Sequence, residues 1–152
     1  MTLQPDSLDT PGESQVVAVA AIVFRGERVL AMRRAAHKPG AARWETLSGR
    51  VHAGEEPLAA LTREIAEESA LEAHVDPRPL TAYAAKRGER DMTVIVYVAE
   101  WSAGEVVRSR EHDDHAWLTP EELAARPGFP KLVEAVRLAA QLRAETASTT
   151  TA

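Results

Sequence analysis

The longest uninterrupted apolar run, Val16 to Phe24, is nine residues, all small or β-branched up to the closing Phe24, a pattern that predicts a buried strand. Arg25-Gly26 reads as a turn, and Val29 to Arg33 as a returning strand. His37 to Arg43, with Pro39 and Gly40, reads as a loop. A helix is expected over about residues 56 to 69, with Leu58, Leu61 and Ile65 as its apolar stripe. Extended pieces follow near Glu72 to Val75 and Leu80 to Lys86, separated by Pro77 and Pro79. Met92 to Trp101 is apolar on both faces and is expected to be central in a sheet. After a polar segment from Val107 to His115, Ala116 to Leu118 reads as a short strand. Thr119 and Glu122 have capping-box spacing, and a last helix is expected from about Pro130 to Arg143. Strands, helix, strands, helix is the order of an α+β or mixed-sheet layered domain.

The chain divides into a flexible arm over residues 1 to 14, one domain over 15 to 144 and a tail over 145 to 152 with no reason to fold. At 152 residues it is long enough for a real core. The formal charge of −5 gives no general attraction to nucleic acid, so a small-molecule substrate is favoured, with phosphate-binding cations supplied locally. There is no cysteine, hence no disulfide, thiolate zinc site or thiol nucleophile. The first fifteen residues lack the pattern of a secretion signal, and the nine-residue apolar run is too short to span a membrane; a cytoplasmic location is the expectation.

Candidate chemistry concentrates on the helix over 56 to 69. Glu64, Glu67 and Glu68 fall within an arc of roughly 100° on a helical wheel. Like charges so placed repel by a few tenths of a kcal/mol per pair, a cost that a hard, oxygen-binding divalent cation reverses. Gly49 and Gly54 bracket the approach, and Pro57 suits a first helical position. On spacing alone, an ordinary solvated acidic face explains the pattern about as well.

The stretch GRVHAGEEPLAALTREIAEESAL resembles the Nudix box, G-x5-E-x7-R-E-U-x-E-E-x-G-U, with U a bulky aliphatic residue. Gly49, Glu55, Arg63, Glu64, Ile65, Glu67, Glu68 and Leu71 match in register; Ala70 replaces the glycine. Trp44-Glu45 resembles the lead-in of many members, whereas Leu47-Ser48 and His52 depart from it. The resemblance implies a Nudix-type α/β/α sandwich around a mixed β-sheet. It also implies Mg²⁺-dependent hydrolysis of a nucleoside diphosphate linked to another group, with Mn²⁺ as an alternative ion.

Carried over by position, Glu67 and Glu68 are the principal metal ligands, and Glu64 is a further ligand or the base. The carbonyl of Gly49 is another donor, and a Glu55–Arg63 pair holds loop to helix. Glu111 stands where members place a glutamate of a later loop near the metal. Arg33, Arg34, Arg43 and Arg50, with Lys38, are candidate phosphate contacts, since arginine makes two-pronged contacts to phosphate. Trp44, Tyr83 and Trp101 are candidates to stack on a base, with core packing the alternative. A non-catalytic nucleotide-binding regulator is the alternative to an enzyme, although every acidic position of the box is filled. Among substrates the reading leans to nucleoside triphosphates, because the chain is short; ADP-ribose, nucleotide sugars and dinucleoside polyphosphates stay open, as does a homodimer.

Overall fold

The structure, a computed structural model, describes residues 14 to 150; the expected N-terminal arm lies almost wholly outside the described residues. Eight strands and three helices follow one another: β1 (Val16–Arg25), β2 (Arg28–Arg34), β3 (Trp44–Glu45), β4 (Leu47–Arg50), α1 (Pro57–Ser69), β5 (Glu72–Val75), β6 (Thr81–Arg87), β7 (Arg90–Ala103), β8 (His112–Leu118), α2 (Pro120–Ala124) and α3 (Pro130–Thr150).

Strand β1 is the spine of a mixed sheet. It pairs in parallel with β7 from Val16↔Met92 to Phe24↔Glu100. Its other edge pairs antiparallel first with β4, Ala18↔Arg50 to Ala21↔Leu47, and then with β2 at Phe24↔Val29. Strand β2 carries β3 on one side and β8 on the other, while β5 and β6 share the outer edge of β7.

The uniformly apolar β1 follows from its place. Alternate side chains of a strand face opposite ways. Ala18, Ala20, Ile22 and Phe24 join the core under α2 and α3, with Leu123, Ala135, Val136 and Ala139. Val19, Ala21 and Val23 join the core under α1, with Ala60, Leu61 and Ile65. Strand β7 divides likewise, Val94 and Val96 to the first core and Tyr97 and Ala99 to the second. The result is the expected α/β/α sandwich around a mixed sheet.

Four local expectations need correction. Leu58 does not join the α1 stripe but is exposed, and Ala60 takes its place in the core. Strand β8 begins at His112 rather than Ala116, because its polar start pairs with β2 as far as Arg34 across a register shift. Between the loop and the helix of the box lie two further strands, β3 and β4, too short to leave a periodic signal. Helix α3 continues past Arg143 to Thr150, so no unfolded tail begins at 145. Thr146 and Thr149 bond back to the carbonyls of Leu142 and Glu145, and Gln141 donates to Glu145, which satisfies groups on this last stretch. The capping box before α2 forms as expected, Thr119 Oγ1 accepting from Glu122 N and Glu122 Oε1 from Thr119 N.

Helix α1 ends on Ala70 in the left-handed region, φ 60 and ψ 13, with its N–H on the Ala66 carbonyl. The family's glycine position is thus a left-handed helix end occupied here by alanine.

Candidate active site

The site is built where β4 meets the face of α1. Gly49 lies against the Glu64 side chain so closely that a Cβ there would stand 2.0 Å from Glu64 Cδ and 2.4 Å from its Cγ. No other residue fits unless Glu64 moves. One residue back, the Ser48 N–H donates to Glu68 Oε1 at 2.8 Å. The loop between β4 and α1 turns through Gly54 at φ 77. It is tied to the helix by Arg63, whose Nε and Nη2 donate to the two oxygens of Glu55 at 3.0 and 2.9 Å. The same guanidinium reaches the Arg50 carbonyl at 3.0 Å and Glu64 Oε1 at 2.7 Å. Arg63 therefore binds loop, strand end and acidic face together.

A cavity of about 550 Å³ opens beside this face, lined by Glu64, Glu67 and Glu68 from α1, His37 and Lys38 from the β2–β3 loop, and Ser109, Arg110 and Glu111 from the segment before β8. Four of the candidate carboxylates thus share one cavity. Lys38 Nζ lies 3.4 Å from Glu111 Oε1. Burial pushes the Glu68 carboxyl up to about 10, and a hydrogen bond with Glu111 adds to this. Burial also raises Glu64, against the pull of Arg63. At Glu111 burial works upward but is outweighed by hydrogen bonds from Glu68 and Lys38, leaving its carboxyl below the usual range. Glu55 is pulled down to about 2 by Arg63 and by the His52 N–H.

Among the described residues no three acidic or imidazole side chains stand close enough to enclose an ion as they are placed. The donor set nevertheless suits a hard divalent cation: all four groups are carboxylates lining one cavity.

The four arginines suggested for phosphate are not among the residues lining the cavity. Arg33 pairs with Asp113 at 2.7 Å, and Arg34 with Glu45 at 3.0 Å. Arg43 stands over the Phe129 ring at 5.6 Å. Arg50 is exposed, its carbonyl taken by Arg63. The cations on the cavity wall are Lys38 and Arg110; Lys38 was signalled by its place before the box, Arg110 by nothing but its neighbour Glu111. Trp44 is buried in the core under α3, Tyr83 packs against that core, and Trp101 lies beneath Arg25 at 3.9 Å.

A three-layer fold that gathers glutamates from one helix around a cavity of about 550 Å³ matches a class of hydrolases acting on phosphorus anhydrides. Residues 14–138 match the NUDIX domain, and the chain belongs to that family; it is a Nudix-type pyrophosphohydrolase. It is 29% identical over 132 residues to a CTP pyrophosphohydrolase of Escherichia coli K12, covering 85% of this chain and 94% of that one. It is 49% identical over 59 residues to a putative 8-oxo-dGTP diphosphatase 2 of Mycobacterium tuberculosis, covering 39% and 41% of the two chains. The solution structure of the E. coli ORF135 protein superposes with a TM-score of 0.71 at 26% identity, over 87% of this chain and 93% of that one. Nudix hydrolases use divalent metal cations and act on nucleotide small molecules. No helix among the described residues is long and apolar enough to cross a membrane.

Proposed function

We propose that the protein is a Mg²⁺-dependent nucleoside triphosphate pyrophosphohydrolase of the cytoplasm, with Mn²⁺ as an alternative ion. The observation that carries this reading is the single cavity in which Glu64, Glu67, Glu68 and Glu111 face Lys38 and Arg110. Acidic and basic groups around one cavity suit a polyphosphate: carboxylates for its cation, cations for its free oxygens. The triphosphate choice is supported by two relatives, a CTP pyrophosphohydrolase and a putative 8-oxo-dGTP diphosphatase.

Glu67 and Glu68 are the principal ligands, with Glu64 and the carbonyl of Gly49 as further oxygen donors. A divalent cation bound there neutralises phosphate charge and acidifies a bound water. Water attacks phosphorus, the bridging P–O bond breaks, and the products are a nucleoside monophosphate and pyrophosphate. The proton released by the water goes to a cavity carboxylate. We assign Glu111, which is ionised and about half exposed, because Glu64 is already engaged by Arg63 at 2.7 Å. Lys38 and Arg110 hold the phosphate tail, and Arg63 keeps Glu64 and the loop in place.

The test is a panel of CTP, dCTP, dGTP, 8-oxo-dGTP, ADP-ribose and a dinucleoside polyphosphate, with Mg²⁺ or with EDTA, scored for nucleotide and pyrophosphate products. Release of a monophosphate and pyrophosphate from a triphosphate, abolished by EDTA, is expected. Turnover confined to ADP-ribose or a dinucleoside polyphosphate refutes the substrate assignment. Glu68→Gln is expected to lower kcat at least about 100-fold with the fold intact; near-normal turnover would remove Glu68 from the site.

A further inference from the structure

The β2–β3 loop, residues 35 to 43, carries Lys38 to the cavity wall, and the bonds around that lysine converge on one side chain behind it. Arg34 Nε donates to the carbonyl of Pro39, the residue after Lys38, at 2.7 Å. On the other side, the Lys38 N–H donates to the Ala35 carbonyl at 3.0 Å, and the Ala35 N–H donates to the Glu111 carbonyl at 2.9 Å. The main chain of Arg34 closes the base of the loop: its N–H donates to the Arg43 carbonyl and its carbonyl accepts from Ala42 N–H, both at 2.9 Å. Gly40 packs on the same side chain, so that a Cβ there would stand 3.5 Å from Arg34 Nε and 3.6 Å from Phe129 Cζ.

These bonds impose the shape of the loop. Gly40 and Ala42 both have positive φ, 71 and 67. A side chain with a Cβ disfavours that region, and an alanine stays in it only where its surroundings over-determine the backbone. The Arg34 guanidinium is itself fixed from the sheet side. Its Nη1 donates to both oxygens of Glu45 at 3.2 and 3.0 Å, and Glu45 Oε2 also lies 2.8 Å from His112 Nε2. The Arg34 and Glu45 side chains are 21% and 10% exposed. Arg34 thus has its charge matched by Glu45 and its Nε engaged by the loop, and it is not among the residues lining the cavity, whereas Lys38 is.

We propose that Arg34 is a positioning residue for the phosphate tail: it holds the Pro39 carbonyl so that Lys38 is presented to the cavity, and it acts through Lys38 rather than on the substrate. The inference rests on the reading of Lys38 as a phosphate contact in the preceding subsection. It goes beyond that reading by giving a role to a side chain outside the cavity. Preorganising a loop in this way lowers the ordering cost that substrate binding would otherwise carry.

A double-mutant cycle between Arg34 and Lys38 tests this. Arg34→Lys keeps a positive charge for Glu45 but lacks the fork that reaches the Pro39 carbonyl at the same time. Wild type, Arg34→Lys, Lys38→Met and the pair are compared by two readouts, with circular dichroism as the check on folding. One is the Kd for inorganic tripolyphosphate with Mg²⁺ by calorimetry, which needs no turnover; the other is KM and kcat for CTP. Lys38→Met is expected to weaken tripolyphosphate binding and raise KM about 10-fold. Arg34→Lys is expected to do the same about 5-fold, with kcat within about 3-fold of wild type, and the pair to match Lys38→Met within about 2-fold. Multiplied losses in the pair, about 50-fold, would show Arg34 meeting the phosphate itself and overturn the proposal. Wild-type affinity in Arg34→Lys overturns it too, as does a loss confined to kcat. Wild-type affinity in Lys38→Met removes the phosphate reading of Lys38, and the proposal with it. Should Arg34→Lys not fold, Arg34→Gln combined with Glu45→Gln, which leaves no unpaired buried charge, takes its place in the cycle with the same expectations.

Discussion

Ala70→Gly is expected to stabilise the protein. Ala70 closes α1 at φ 60 and ψ 13, a region that disfavours any side chain with a Cβ. Occupying it costs an L-residue about 1–2 kcal/mol, and glycine is spared this. Glycine also gives the unfolded chain more freedom, which takes back about 0.4–1 kcal/mol. The Ala70 side chain is exposed, so little packing is lost with the methyl. The bonds that end the helix are backbone or belong to Ser69: Ala70 N to the Ala66 carbonyl at 3.0 Å, Leu71 N to Ser69 Oγ at 3.2 Å, and Ser69 Oγ to the Ile65 carbonyl at 2.6 Å. All survive the change. The balance is a gain of about 0.5–1 kcal/mol. For a chain of 152 residues the unfolding entropy is about 320 cal/mol/K, so the melting temperature should rise by about 2–3 °C. Differential scanning calorimetry at neutral pH reads this directly, with a urea midpoint as the second measurement. A lower melting temperature for Ala70→Gly would refute the left-handed helix end. The carboxylates lie upstream on the helix, so kcat should not change.

Gly49→Ala should do the opposite, since its Cβ would fall 2.0 Å from Glu64 Cδ; a loss of about 1–3 kcal/mol is expected, together with a fall in kcat, and wild-type behaviour in both denaturation and turnover would contradict the packing described. Thr46 is fully buried and its hydroxyl has no partner, so Thr46→Val should raise stability by about 1 kcal/mol, and a urea midpoint below wild type would show that the hydroxyl is satisfied. Glu55 has a folded pKa of about 2 against an ordinary 4.5, so its contribution is present above pH 4.5 and lost as pH falls from 4.5 towards 2. Glu55→Gln should therefore flatten that acid limb of the melting-temperature profile, and an unchanged slope would show that Arg63 does not hold Glu55 as described.

What could be read from the sequence, and what could not, follows the distance along the chain between the groups that meet. The α1 face was legible because Glu64, Glu67 and Glu68 are set by helical period alone, and Arg63 reaches Glu55 across only eight positions. The two-sided strands β1 and β7 announced themselves by composition, since a strand covered by helices on both faces has no polar side to show. The opposite wall of the cavity had no such signal. Lys38 meets Glu111 across 73 positions, and Arg33 meets Asp113 across 80. Those pairings depend on β8 lying beside β2 with a register shift at Arg33/Arg34, and no local pattern encodes a register. Hence arginines that looked like phosphate contacts are taken up by Asp113, Asp114 and Glu45, while the cavity cations are Lys38 and Arg110. The same register accounts for His112. In the sequence it is one of several polar residues in an acidic run, 67 positions from Glu45. Only when β3, β2 and β8 lie side by side does it become the buried group between Glu45 and Glu68. The box therefore supplies three of the cavity carboxylates, and the sheet register brings Glu111 and Lys38 to the wall that faces them.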